Sequence, residues 1–168
     1  MANAISNTSP LLYLYRIDCL EWLGQLFDEI WIPVAVASEL TEGKRRGYDV
    51  PEPSAYSWLR QQEPRAMPSE WLALDLGAGE LAAMALALEN PASVVLLDDR
   101  LARRGAQAAG LTVWGTLKVL LEGKALGLTD RIEPLLDRLQ LAGMWLSADI
   151  RRRILALAQE EDRAGSRS

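Results

Sequence analysis

The stretch Ser93-Val94-Val95-Leu96-Leu97-Asp98-Asp99-Arg100 decides the fold class. Its aliphatic run shows no polar alternation, as a strand with one wet face would. It reads instead as a buried strand of a parallel sheet, covered on both sides. The run ends on two carboxylates. A helix is expected over 100–109, stopped by Gly110. Leu111-Thr112-Val113-Trp114 then forms a further short strand, closed by Gly115. Strand, helix and strand joined by short links is the repeating unit of a parallel sheet.

The same alternation extends towards the amino terminus. Ala4-Ile5-Ser6 is a first strand candidate, and Asn7, Thr8 and Ser9 are good helix-capping residues. Pro10 suits a first helical turn, and Leu11, Leu12, Leu14 and Tyr15 supply an apolar face. A second helix is expected over 20–27 and a strand over 29–32. Pro33 ends that strand and opens a helix through Val34, Val36 and Leu40, with Glu39 near its end. Residues 43–47, Gly-Lys-Arg-Arg-Gly, read as a basic loop, and 55–61 as a short helix. Residues 64–70 read as loop or edge strand. Leu76-Gly77-Ala78-Gly79-Glu80 is a turn that opens the clearest helix, over 79–88 and rich in Ala and Leu. Towards the carboxyl terminus, Thr116 is expected to cap a helix over 117–122, Thr129-Asp130 one over 131–139, and Ser147 one over 149–161. The expected fold is α/β: three αβα layers around a central parallel sheet of four to five short strands. One domain spans 1–161, and residues 162–168 look frayed.

Composition narrows the chemistry. The chain has 168 residues, about half of them hydrophobic, which suits one compact domain. Its net charge of -5, from 18 basic and 23 acidic residues, gives no broad attraction to nucleic acid, although a local basic patch would suffice. There is no histidine, so a His-bound zinc site and Ser-His or Cys-His dyads are excluded. The one cysteine, Cys19, permits neither an internal disulfide nor a Cys₄ site. Catalysis must therefore use carboxylates, hydroxyls, Lys or Arg, and carboxylates suit hard ions such as Mg²⁺ or Mn²⁺. No secretory pattern or bilayer-length apolar run is visible, so a cytoplasmic protein without membrane contact is expected.

Ligands of parallel sheets bind beyond the carboxyl ends of the strands. That rule singles out Asn7-Thr8-Ser9 after the first strand and Asp98-Asp99 after the buried one. It adds Glu39 on the helix leaving the second strand and Glu80 at the start of the strongest helix. Each has a plainer explanation. Glu80 favours a helix dipole, Asp98 or Asp99 can cap a helix, Asn7-Thr8-Ser9 can be a capped turn, and Glu39 can be an ordinary surface residue. Together they offer oxygen ligands from four segments. Arg103 or Arg104, one turn beyond Asp99, is well placed for a phosphate. Of the six tryptophans, Trp31, Trp71 and Trp114 read as core or interface. Trp145, after Gly143-Met144, reads as a surface cover or partner contact.

Four segments, in order, resemble the PIN-domain proteins, and within them the VapC-like toxin branch of the DUF3368 type. They are Ser6-Asn7-Thr8-Ser9-Pro10-Leu11, Ile32-Pro33-Val34-Ala35-Val36-Ala37-Ser38-Glu39-Leu40, Leu76-Gly77-Ala78-Gly79-Glu80, and Leu96-Leu97-Asp98-Asp99-Arg100-Leu101-Ala102-Arg103. The resemblance implies a Mg²⁺- or Mn²⁺-dependent endoribonuclease, the toxin of a toxin–antitoxin pair. It implies Asn7, Glu39, Glu80 and Asp98, or Asp99 in place of Asp98, as the catalytic and metal-binding set. Thr8 or Ser9 would bond a metal-bound water or a ligand carboxylate. It further implies a small antitoxin as partner and a homodimer. The family's first position is typically Asp, and here it is Asn7. An amide oxygen can ligate a cation but adds no charge and is a poor base. The alternative is thus a catalytically weakened relative that binds RNA or protein as a regulatory module.

Overall fold

The computed structural model describes residues 2–161. Five strands form one sheet: β1 (Ala4–Ser6), β2 (Ile30–Ile32), β3 (Leu59–Gln61), β4 (Val94–Leu96) and β5 (Thr112–Trp114). Their order is β3-β2-β1-β4-β5, and every pairing is parallel. The helices are α1 (Thr8–Arg16), α2 (Trp22–Leu26), α3 (Val34–Arg45), α4 (Ala78–Glu89), α5 (Arg100–Ala108), α6 (Thr116–Ala125), α7 (Glu133–Leu141) and α8 (Ala148–Leu157).

The unbroken aliphatic strands are explained by two cores. Ala4, Val94 and Leu96 pack with Leu11 and Leu14 of α1, Leu120 of α6, Leu136 of α7 and Leu155 of α8. Their strand neighbours Ile5 and Val95, with Leu97 just beyond β4, point the other way, onto Ala83, Met84 and Ala87 of α4 and Ala102 and Ala106 of α5. Successive strand residues alternate faces, and here both faces are dry. The strand order reverses between β1 and β4. Connections leave that point in opposite directions and open a crevice beyond the strand ends. Asn7 and Asp98 both lie there.

Several expectations need correction. The expected helix over 55–61 is a 3₁₀ turn at Pro53–Ala55 followed by edge strand β3. So short a window cannot nucleate a helix alone, whereas β2 supplies ready backbone partners. The basic stretch at 43–47 is not a loop throughout, because α3 runs to Arg45. Glu42 pairs with Arg45 (2.6 Å) and Arg46 (3.0 Å) across its last turn, and Gly47 (φ 84°) ends it. Glu39 consequently sits mid-helix, not near the end. Thr116 is no cap, since Gly115 holds that position. Nor do Thr129-Asp130 cap α7, which starts at Glu133 behind Ile132. The 162–168 tail lies outside the described residues. Trp31, Trp71 and Trp114 are half-buried against the two cores, while Trp145 is 78% exposed. No helix among the described residues is long and apolar enough to cross a membrane.

Candidate active site

The site starts where β1 ends. The backbone N–H of Asn7 donates to the Leu96 carbonyl (3.2 Å), which ties the residue to β4. Asn7 occupies the N-cap position of α1 with extended backbone, yet its side chain makes no capping bond. It is nearly fully buried. Its Oδ1 faces α4 instead, where a Cβ added to Gly79 would stand 3.0 Å away. The same point lies 2.8 Å from Glu39 Oε1 and 3.1 Å from Glu39 Oε2. Glycine keeps that space open, because a side chain would enter it and push the amide and the carboxylate aside. The Thr8 hydroxyl donates to Glu39 Oε2 and fixes that carboxylate from the α1 side.

Glu80 follows Gly79 in the first turn of α4. Burial pushes its carboxyl above the usual range, and the charges of Asp99 and Glu39 push the same way against a backbone hydrogen bond from Gly77. Glu80 thus lies within electrostatic reach of acids from two other segments. Both raise its proton affinity.

Asp98 and Asp99 have separate surroundings. Asp98 accepts from the Thr116 N–H (2.7 Å, Oδ1) and from the Thr116 hydroxyl (2.6 Å, Oδ2). Burial raises its carboxyl, and the two Thr116 bonds and Arg103 oppose the rise. Arg103 Nη1 also donates to the Leu97 carbonyl (3.0 Å). Gly115 leaves room for this knot, since a Cβ there would stand 2.6 Å from Arg103 Nη1 and 3.1 Å from Asp98 Oδ1. Asp99 caps α5, accepting from the Ala102 N–H (2.8 Å). Of the two acids, Asp99 is the one felt by Glu80.

A cleft of about 730 Å³ is lined by Glu80, Asp98, Asp99 and Arg103, with Ser9. Arg104 is exposed and outside its lining. A second cleft of about 470 Å³ begins at the neighbouring Thr8 and Glu39.

Among the described residues, no three Asp, Glu or Cys side chains gather as a ready-made metal cage. The donor chemistry nonetheless fits a hydrated hard cation. Mg²⁺ keeps several waters and is commonly held by one or two carboxylates. Asn7 Oδ1 and both Glu39 oxygens face one small space, and Glu80 adjoins it in sequence. Sequence reasoning named those side chains but missed Gly79, Gly115 and Thr116. Gly115-Thr116 directly follows a strand, so the strand-end rule that found Asn7 would have found it too. Nothing local marks Gly79.

A family model of PIN domains, DUF3368, matches residues 3–160. The chain matches no curated protein and no solved structure. With nearly the whole chain covered, this protein belongs to the PIN-domain family, whose fold is associated with nuclease activity.

Proposed function

We propose that this PIN-domain protein is a metal-dependent endoribonuclease, hydrolysing RNA phosphodiester bonds as the toxin of a toxin–antitoxin pair in the cytoplasm. It acts as one domain over 1–161. The observation that carries the reading is the shared facing of Asn7 Oδ1 and the Glu39 carboxylate towards Gly79, beside a Glu80 that like charges keep avid for a positive partner. Asn7, Glu39, Glu80 and Asp98 would hold Mg²⁺ or Mn²⁺, and Asp99 adds its charge beside Glu80. When bound, the ion supplies charge neutralisation at the phosphate and an acidified water. The protein's own part is positional. Thr8 orients Glu39 by donation, Ser9 offers a hydroxyl at the cleft wall, and Arg103 presents a guanidinium to the phosphate while anchored on Leu97. Arg104 adds charge further out along α5. The two Thr116 hydrogen bonds favour the ionised form of Asp98 against its desolvation. A small antitoxin and a second copy of the chain are the proposed protein partners. The exposed Leu72 and Leu126 supply apolar surface for such contacts.

The test is cleavage of structured RNA in Mn²⁺ beside a Glu39→Gln control. Cleavage unchanged by that substitution, or absent with every metal tried, removes the proposal. A second reading, a weakened relative acting as an RNA- or protein-binding regulator, is favoured by the neutral Asn7. Calorimetric Mn²⁺ titration separates the two. Tight binding that is lost in Glu80→Gln counts against the regulator.

A further inference from the structure

The cleft that holds Glu80, Asp98 and Asp99 is also lined by Met144, Trp145, Leu146 and Ile150. Trp145 is 78% exposed, an unusual place for so large an apolar surface.

The loop that displays it is fixed at both ends. Gly143 (φ 106°) closes α7, with its N–H on the Gln140 carbonyl (3.1 Å) and the Met144 N–H on the Leu139 carbonyl (3.0 Å). These are the paired bonds of a Schellman stop. Two residues beyond Trp145, the Ser147 hydroxyl accepts from the Ile150 N–H (3.1 Å) and starts α8. The indole is therefore held out by a short loop between two helix caps, and little loop entropy is lost when a ligand covers it.

The same cleft is lined by three cations, Arg100, Arg103 and Lys118. Cations that can meet phosphates, next to an exposed aromatic ring and continuous with an acidic centre, suit a nucleotide better than a purely apolar peptide. At about 730 Å³ the cleft is also large enough for a small-ligand-sized group.

We infer that Trp145 is the platform of a nucleobase subsite, on which a base near the scissile phosphate stacks. This deepens the nuclease reading and rests on it for the position of the scissile bond. Met144, Leu146 and Ile150 donate no hydrogen bond to a base edge, and the one indole N–H lies in the ring plane, away from a base stacked on its face, so selectivity comes from stacking strength. Purines are favoured over pyrimidines, and a paired base is not admitted.

Metal-free fluorescence anisotropy with labelled oligoadenylate and oligouridylate decamers tests this without cleavage. The wild type should bind oligoadenylate several-fold more tightly. Trp145→Ala should weaken oligoadenylate binding about tenfold and level the two ligands, a size typical of one stacked base. Trp145→Phe should keep most of the difference. Leu141→Ala, exposed and outside the cleft, should change nothing. With Mn²⁺ present, Trp145→Ala should raise KM and spare kcat.

Equal binding of the two decamers by the wild type, no measurable binding of either, or Trp145→Ala within twofold of wild type overturns the subsite. So does loss of a copurifying small protein in Trp145→Ala at unchanged oligonucleotide affinity, which would assign the cleft to a protein segment. Metal-dependent cleavage indifferent to Trp145 removes only this inference. Trp145-dependent purine binding without cleavage in any metal keeps the subsite and removes the nuclease.

Discussion

Glu80 and Glu160 are both glutamates withdrawn from water, and the fold treats them in opposite ways. The Glu160 side chain is 5% exposed. Burial pushes its carboxyl up, but the Ile132 N–H (2.8 Å), Lys124 (2.9 Å) and the Glu133 N–H (3.1 Å) outweigh burial and hold it below the usual range. Arg131 stands 3.7 Å away. The last described turn of chain is thereby clamped onto the start of α7. At Glu80 burial again pushes up, and the neighbours Asp99 and Glu39 add to it. Desolvation acts on both groups, and the sign of the total is set by what surrounds them. A carboxylate with donors all round serves the fold. One facing other carboxylates is kept at a cost in stability, which points to a use outside the fold.

Removing charge at the two places should separate them most sharply in activity. Glu39→Gln and Glu80→Gln should lower Mn²⁺-dependent RNA cleavage by about 100-fold or more, measured at single turnover. Glu160→Gln should leave cleavage per folded molecule unchanged. A comparable loss in Glu160→Gln would erase the contrast. Next in size is Gly79→Ala, whose Cβ would crowd Glu39 and Asn7. It should cost cleavage about 10- to 100-fold while the thermal midpoint barely moves.

The stability effects run the other way. Glu160→Gln should lose about 2 kcal/mol in urea at pH 7, because Lys124 and two helix N–H groups lose their acceptor charge. A carboxyl held low in the fold contributes fully above its ordinary value of 4.5. That contribution fades as pH falls through the lower folded value, so the gap between variant and wild type should close in acid. Thr116→Val should lose about 1 kcal/mol, because half-buried Asp98 would keep the backbone donor and lose the hydroxyl. The smallest effect belongs to Glu80→Gln in the same urea assay. With its carboxyl held high, ionised Glu80 is least welcome in the fold above the usual range. The variant should therefore be slightly more stable at pH 7, and its advantage should vanish below 4.5, the ordinary value. A destabilised Glu80→Gln would break the comparison from the other side.

How much of this was legible differs by element. β4 was readable because a dry strand leaves an unbroken aliphatic run. α4 was readable because Ala and Leu in sequence favour helix everywhere. β3 was not, since Leu59-Arg60-Gln61 has little strand character. The Ile30 N–H donating to the Trp58 carbonyl (2.8 Å) helps dock it. The end of α3 was missed because glycine and three basic residues look like loop until Glu42 is seen bridging Arg45 and Arg46. At the site, Asn7, Glu39, Glu80, Asp98 and Asp99 were all named from their places near strand ends and helix starts. Their division of labour was not. Asp98 and Asp99 are adjacent and chemically alike, and only the arrival of Thr116, 18 residues on, makes one a tied strut and leaves the other facing Glu80.

The sequence by itself determined the alternation of strand and helix and the residues stationed at the sheet's carboxyl edge, the amide at Asn7 among them. Those features depend on patterns a few residues long. The tertiary structure alone decided which oxygens face the same space, what a side chain at Gly79 would displace, and whether a glutamate withdrawn from water is neutralised or left avid. Those outcomes depend on contacts such as Thr8 with Glu39, 31 residues apart, and Ile132 with Glu160, 28 apart. A carboxylate's electrostatic state is set by neighbours in space, and local pattern does not encode them.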